Sequence, residues 1–158
     1  MGNFDVILYT DGSSRGNPGP GGYGLVLEWA GHNIFKEASK GFRRTTNNRM
    51  ELMAVIIGLE MLKKEGMRVL VVSDSKYVVD AVDKGWVFGW EKKAYKDKKN
   101  PDLWQRFLRI YRKHQVKFQW VKGHNDHPMN ERCDKLAVDA ALGKQLLIDE
   151  YFESIVES

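Results

Sequence analysis

The stretch Phe4–Gly24, FDVILYTDGSSRGNPGPGGYG, decides how the rest of the chain is read. Phe, Val, Ile, Leu and Tyr in one short run predict a strand from Phe4 to Tyr9, buried on both faces. The run stops at Asp11, and Gly12, Ser13, Ser14 and a dense Gly/Pro loop follow. That loop turns the chain back into a second strand near Tyr23–Trp29. A carboxylate therefore sits where a buried strand meets its loop, the place where open α/β sheets bind ligands. Asp before Gly is also a common turn-former, and Asp11 taken alone is explained equally well by that role.

Outward from this stretch, Gly22–Ala30 and His32–Gly41 read as two strands joined at Ala30-Gly31-His32, completing a three-stranded antiparallel meander. Thr45, Thr46, Asn47 and Asn48 supply helix-start residues, and a helix is expected from Asn48 to Lys64, ended by Gly66. Its apolar positions Leu52, Val55, Ile56, Leu59 and Leu62 have helical spacing. Glu51 shares that inward stripe. The helix macrodipole favours a first-turn Glu, but a carboxylate facing the core also needs a proton, a cation or a metal.

Arg68–Ser73, RVLVVS, is a further β-branched run, and VSDS at Val72–Ser75 echoes YTDGS at Tyr9–Ser13. A helix follows from Ser75 to Asp83. The long helix between the third and fourth strands permits a parallel crossover. With the two strands side by side, Asp11 and Asp74 emerge at one carboxyl edge. Adjacent carboxylates raise each other's pKa unless a cation lies between them, and a hard divalent ion such as Mg²⁺ suits an all-oxygen site.

Trp86 and Trp90 stand one helical turn apart, and EKKAYKDKKNPDLW follows. Aromatic faces beside ammonium groups suit sugars, bases and phosphates. A core Trp beside solubilising lysines is the plainer alternative, and it fits Trp86 better than Trp90. Asp102 is expected to cap a helix from Leu103 to Lys113, after Pro101. Val116–Lys122 reads as a strand, Gly123–Pro128 as a polar turn, and a last core helix starts near Met129 and ends at Gly143, carrying Asn130 and Asp134. In Gln145–Ser158, Ile148, Phe152, Ile155 and Val156 have the spacing of a short amphipathic helix packed on the domain or on a partner.

The chain of 158 residues suffices for one domain with a substantial core, and 42% hydrophobic with 29% charged residues fits a globular protein. Neither a membrane-length apolar run nor a basic-then-apolar leader is seen. A single cysteine, Cys133, excludes an internal disulfide and agrees with a reducing compartment, so the cytoplasm is the expected location. The net charge is +4, unevenly spread. Leu103–Asn125 holds six Lys and Arg and no Asp or Glu, and Lys92, Lys93, Lys96, Lys98 and Lys99 crowd the stretch before it. With aromatics interleaved, this basic middle points to a polyanion partner.

Asp11, Glu51, Asp74, His124 and Asp134 thus each stand in a distinct local setting. On the segments YTDGSSRGNPGPGGYG, RTTNNRMEL, SDSKYV, the tryptophan–lysine stretch, DLWQR and WVKGHNDHPMNERCDKLA, the chain resembles bacterial ribonuclease H of type 1 from about Phe4 to Leu142. The Gly-rich loop is not a P-loop, since no GK[ST] follows. The resemblance implies an α/β fold, the ribonuclease H-like five-stranded mixed sheet, with strands 1, 4 and 5 parallel and 2 and 3 antiparallel, flanked by helices. The catalytic domain would span 1–143 and the tail 144–158. It implies endonucleolytic hydrolysis of the RNA strand of RNA–DNA hybrids by two Mg²⁺ ions, with Mn²⁺ as a substitute, in a monomer. The four metal-binding carboxylates fall on Asp11, Glu51, Asp74 and Asp134, with Asp11 bridging, and His124 matches a loop histidine that aids proton transfer or product departure. Substrate contacts fall on Arg44, Thr46 and Asn100 (a DNA-strand phosphate), Trp86 and Trp90 (DNA sugars) and Asn17, Asn47 and Asn48 (the minor groove). Lys76, Lys92, Lys93 and Asn130 complete the set. Lys76 stands where the family often has Gln, the basic loop Glu91–Asn100 is shorter than in many bacterial relatives, and the resemblance carries over no function for the tail after Gly143. A non-catalytic nucleic-acid-binding module and a DNA resolvase on the same fold are the alternatives.

Overall fold

Val6–Ser14 (β1) lies at the centre of a five-stranded sheet in the computed structural model, which describes residues 3–123 and 127–156. On one side it pairs antiparallel with Gly19–Trp29 (β2), which pairs antiparallel with Ile34–Thr45 (β3). On the other it pairs parallel with Arg68–Ser73 (β4), which pairs parallel with Gln115–Trp120 (β5). The order β3-β2-β1-β4-β5 is the mixed sheet expected from the sequence. The helices are Asn47–Glu60 (α1), Lys76–Asp83 (α2), Trp86–Lys92 (α3), Pro101–Tyr111 (α4), Pro128–Ala141 (α5) and Glu150–Val156 (α6). Among the described residues, no helix is long and apolar enough to cross a membrane.

The first strand does not stop at Asp11. Pairing runs on through Asp11↔Gly24 to Ser14↔Gly21, so part of the expected Gly/Pro loop is ladder. Glycine weakens strand propensity, which hides this in the sequence, but here its missing side chain is what the packing needs. A Cβ on Gly24 would stand 2.7 Å from Leu136 Cβ and 2.9 Å from Ala137 N, so α5 rests directly on the backbone of β2. Side chains alternate along β2, and Tyr23 points to the opposite face, into the core with Phe42 and Met50. That core lies between the sheet and α1 and α4, and it includes Leu8, Leu25, Leu52, Ile56, Leu59, Trp104 and Phe107.

Three further expectations are corrected. The third strand reaches Thr45 rather than stopping at Gly41. α1 ends at Glu60, four residues early, because Lys63, Lys64 and Glu65 are exposed and nothing there rewards another turn; Gly66 N instead donates to Lys113 O at 2.7 Å. Asp102 does not cap α4. Asn100 holds that position in a left-handed conformation (φ 62°), and the Asp102 carboxylate is committed to Arg49. The tail does carry the expected short helix. Leu147 reaches the edge of β3 through Arg43 N to Leu147 O (2.9 Å) and Leu147 N to Gly41 O (2.8 Å), and Phe152 is buried.

Candidate active site

β1 pairs with β4 only as far as Tyr9↔Val72. Asp11 and Asp74 each lie two residues beyond that last rung, on the same edge of the sheet. Asp11 is therefore mid-strand towards β2 and at a strand end towards β4, which reconciles the ladder with the exposed edge the sequence predicts. Glu51 arrives from α1, whose backbone passes over Gly12: a Cβ there would stand 2.6 Å from Met50 C. One carboxylate oxygen from each of Asp11, Glu51 and Asp74 lies within 4.8 Å of the other two.

These acids are held out of water. Asp11 is 4% exposed and Glu51 6%. Burial, then the negative charge of Asp74, pushes Asp11 up to about 8, against the Gly12 N–H that donates to Asp11 Oδ1 at 2.9 Å; Asp134 raises it further. Burial, then Asp11 and Asp74, pushes Glu51 well above the ordinary carboxylate range. Glu51 Oε1 is buried and accepts no hydrogen bond from any described group. An oxygen-only set with a buried, unsatisfied oxygen fits a hard divalent cation. Asp134, on α5, comes to Asp11 because α5 packs against Gly24, the partner of Asp11. His124 lies outside the described residues. His127 is not idle: its Nδ1 accepts from Asn130 N at 3.3 Å and caps α5.

Most of the expected substrate residues fall into two groups, with Asn130 and Lys76 apart from both. One surrounds the start of α1. Asn47 N donates to Asn17 Oδ1 at 3.2 Å, tying the β1–β2 turn to the helix. Thr46 caps α1 by accepting from Arg49 N at 3.2 Å. Asn100 Oδ1 accepts from Arg49 Nη1 at 3.2 Å, and Arg44 and Asn48 are exposed nearby in the chain. The other group is α3 and the loop after it. Trp86 and Trp90, one turn apart as expected, line a groove of about 390 Å³ with Lys93, Lys96 and Lys98. Lys84 and Lys98 sit over the two indole rings at 5.2 and 5.4 Å. Lys92 is exposed at the end of α3. Asn130 is buried in α5, its Nδ2 without a partner among the described residues. Lys76 stands 4.7 Å over the Trp120 ring, whose Nε1 donates to Asp74 O at 3.1 Å.

Trp120, Gly123 and Arg49 escape sequence reasoning. Trp120 reads as one alternating strand residue. A Cβ at Gly123 would come 2.7 Å from Asp74 Oδ2, and a glycine just before the loop histidine is the one available hint. An Arg in the first turn of an amphipathic helix carries no signal at all.

A buried carboxylate cluster on the edge of this sheet defines a site able to hold a divalent cation. The model of the ribonuclease H family matches residues 3–142. Ribonuclease H of Desulforamulus reducens is 54% identical over 150 residues, covering 92% of each chain. Ribonuclease HI of a Synechocystis species is 49% identical over 152 residues, covering 93% of this chain and 94% of that protein. The crystal structure of LC9-RNase H1, described as a type 1 RNase H with the type 2 active-site motif, covers 100% of this chain and 83% of its own at 33% identity and a TM-score of 0.81. That of LC11-RNase H1 in complex with an RNA/DNA hybrid covers 86% of this chain and 96% of its own at 30% identity and a TM-score of 0.66. The chain belongs to the ribonuclease H family, endoribonucleases that hydrolyse the RNA strand of RNA–DNA hybrids.

Proposed function

We propose that this enzyme cuts RNA–DNA hybrids with two Mg²⁺ ions held by Asp11, Glu51, Asp74 and Asp134, with Mn²⁺ able to substitute. The observation that carries the reading is the crowding of like charges: three carboxylates within 4.8 Å, two of them buried, one with an oxygen that no described group satisfies. Asp11 is assigned the shared position because it interacts with Glu51, Asp74 and Asp134. Bound there, the cations supply an activated water and neutralise the charge that develops on the leaving oxygen. The protein's own part is to fix the acids on β1, at the end of β4 and on two helices, so that little reorganisation is needed on binding. Gly12 N–H orients Asp11, and Trp120 holds the Asp74 backbone.

Around this centre Arg44, Thr46 and Asn100 receive a phosphate of the DNA strand. Asn17, Asn47 and Asn48 meet the minor groove, where the RNA 2′-hydroxyl can be sensed. Trp86 and Trp90 bind DNA sugars beside Lys92 and Lys93, and Lys76 and Asn130 contact the hybrid near the acids. His124 assists proton transfer or product departure, an assignment from the family likeness. Backbone and minor-groove contacts give little sequence preference. The enzyme works as a cytoplasmic monomer, its catalytic domain spanning 1–143.

The test offers hybrid, duplex DNA and duplex RNA side by side, with Mg²⁺, with Mn²⁺ and with chelator. Cation-dependent cleavage confined to the RNA of the hybrid is expected. Tight cation-independent binding without cleavage points to the binding module, and cutting of DNA to the resolvase.

A further inference from the structure

Arg49 is 1% exposed, and its guanidinium offers five N–H donors. All five are used. Nε donates to Asp149 Oδ2 at 2.7 Å and Nη2 to Asp149 Oδ1 at 3.0 Å. Nη1 and Nη2 donate to the two oxygens of Asp102 at 2.9 and 2.7 Å. The fifth bond, from Nη1, goes to Asn100 Oδ1 at 3.2 Å. The Tyr151 ring lies against the guanidinium at 5.4 Å.

Asp149 is equally committed. Besides its two bonds from Arg49, Oδ2 accepts from Thr45 Oγ1 at 2.7 Å and Oδ1 from Phe152 N at 3.4 Å. With every donor of one residue and the acceptor sites of the other occupied inside the protein, neither can bind substrate. What they do is aim one side chain that can, Asn100, beside the helix cap Thr46. Asn100 Oδ1 faces Arg49 and its Nδ2 donates to the Tyr77 hydroxyl at 2.9 Å, which leaves one amide proton over. Thr46 Oγ1 accepts from the Arg49 backbone, which leaves its hydroxyl proton over. Among the described residues neither proton has an acceptor.

Asp149 lies seven residues past the end of the family match at Leu142, in the tail. We propose that this tail is part of the substrate platform: Asp149, through Arg49, is a positioning residue that presents the free donor of Asn100, beside that of Thr46, to a phosphate of the hybrid. The proposal rests on the reading of Arg44, Thr46 and Asn100 as a phosphate pocket.

The test is Asp149→Asn in the full chain, assayed well below its melting temperature. Removing a negative charge beside an anion pocket would by electrostatics alone lower KM for the hybrid, and a purely structural role would leave KM unmoved once the protein is folded. Positioning predicts the reverse sign: KM raised about fivefold, kcat within about twofold, and a log KM against log salt slope shallower by about one, as for a lost phosphate contact. Glu153→Gln, which removes the ion pair between Arg43 and the same tail and leaves the Arg49 bonds in place, should not raise KM. Thr45→Val, which removes one of the four bonds to Asp149, should raise KM about twofold and serves where Asp149→Asn does not fold. Asn100→Ala and Arg44→Ala test the pocket itself. If they raise KM while Asp149→Asn lowers it or leaves it unchanged, positioning is overturned and the pocket stands. If they leave KM unchanged, the pocket reading fails and takes the proposal with it.

Discussion

Arg49 and Glu51 stand two residues apart in α1, yet they belong to buried charge clusters of opposite construction. Around Arg49, one cation meets two carboxylates, and every donor of the guanidinium is matched. Burial alone would lower the Arg49 pKa, but the bonds it donates to Asp102 and Asp149 outweigh that and hold the charge in place. Around Glu51, three carboxylates crowd together and one buried oxygen is left unsatisfied. The first cluster is complete within the protein, so it serves the fold and what the fold presents. The second is incomplete among the described residues, and a fold that keeps an unsatisfied Glu51 oxygen inside a group of like charges does so for something that binds.

The contrast can be broken at either end. The largest effect is expected from Asp11→Asn, which removes the acid that faces all the others: hybrid cleavage should fall on the order of a thousandfold or more, about 4 kcal/mol of activation free energy. Gel-shift binding of the hybrid should persist, and retained turnover would refute the assignment. Arg49→Met attacks the other cluster. It leaves Asp149 buried without its cation and should cost on the order of 3–5 kcal/mol in urea unfolding. A loss within experimental error would mean that the matched cluster is ornamental.

The pH response sharpens the comparison without touching a residue in the wild type. Asp11 titrates near 3.8 when unfolded and about 8 when folded, so the folded protein binds its proton more tightly. That contribution to stability is complete below pH 4 and is lost as pH rises to 8. Carboxylates held low by an Arg partner, such as Glu37 and Glu91, have the opposite sign but finish titrating at lower pH. In chelator, thermal stability should therefore fall by on the order of 2 kcal/mol between pH 5 and 8. Added Mg²⁺ or Asp11→Asn should flatten the fall, and a flat curve in chelator would contradict the crowding. The smallest effect is expected far from both clusters. Trp86→Ala and Trp90→Ala should each weaken hybrid binding by about 1 kcal/mol and leave the chelator curve unchanged. Unchanged hybrid affinity would remove the α3 groove from the substrate surface.

The acid cluster was more legible in the sequence than the arginine cluster, and the reason is physical. Asp11 and Asp74 each end an apolar run, so local pattern marks them, and Glu51 interrupts an apolar stripe at helical spacing. Arg49 looks like any surface Arg beside a helix start. Its five bonds go to residues 51, 53 and 100 positions away, and no local pattern encodes such distances. The same limit explains the misread ends. Gly12 and Gly21 look like loop residues, yet both are paired in the β1–β2 ladder, while Gly22 and Gly24 give α5, more than a hundred residues on, a surface without side chains. Asp102 looks like a cap after Pro101, but its carboxylate is drawn to Arg49.

Beside the mixed sheet that the family resemblance implied, the amino-acid sequence alone marked most of the strands and helices, Asp11, Glu51 and Asp74 as candidate acids, and the basic, aromatic stretch that suits a polyanion. Those features follow from periodicity, turn chemistry and charge, which act over a few residues. Only the tertiary structure decided how far β1 extends, that Asp134 reaches Asp11, and that the tail is tied through Asp149 to the start of α1. Each of these depends on close approach of backbones or on matching donors to acceptors across the whole chain, and such matches exist only once the chain has folded.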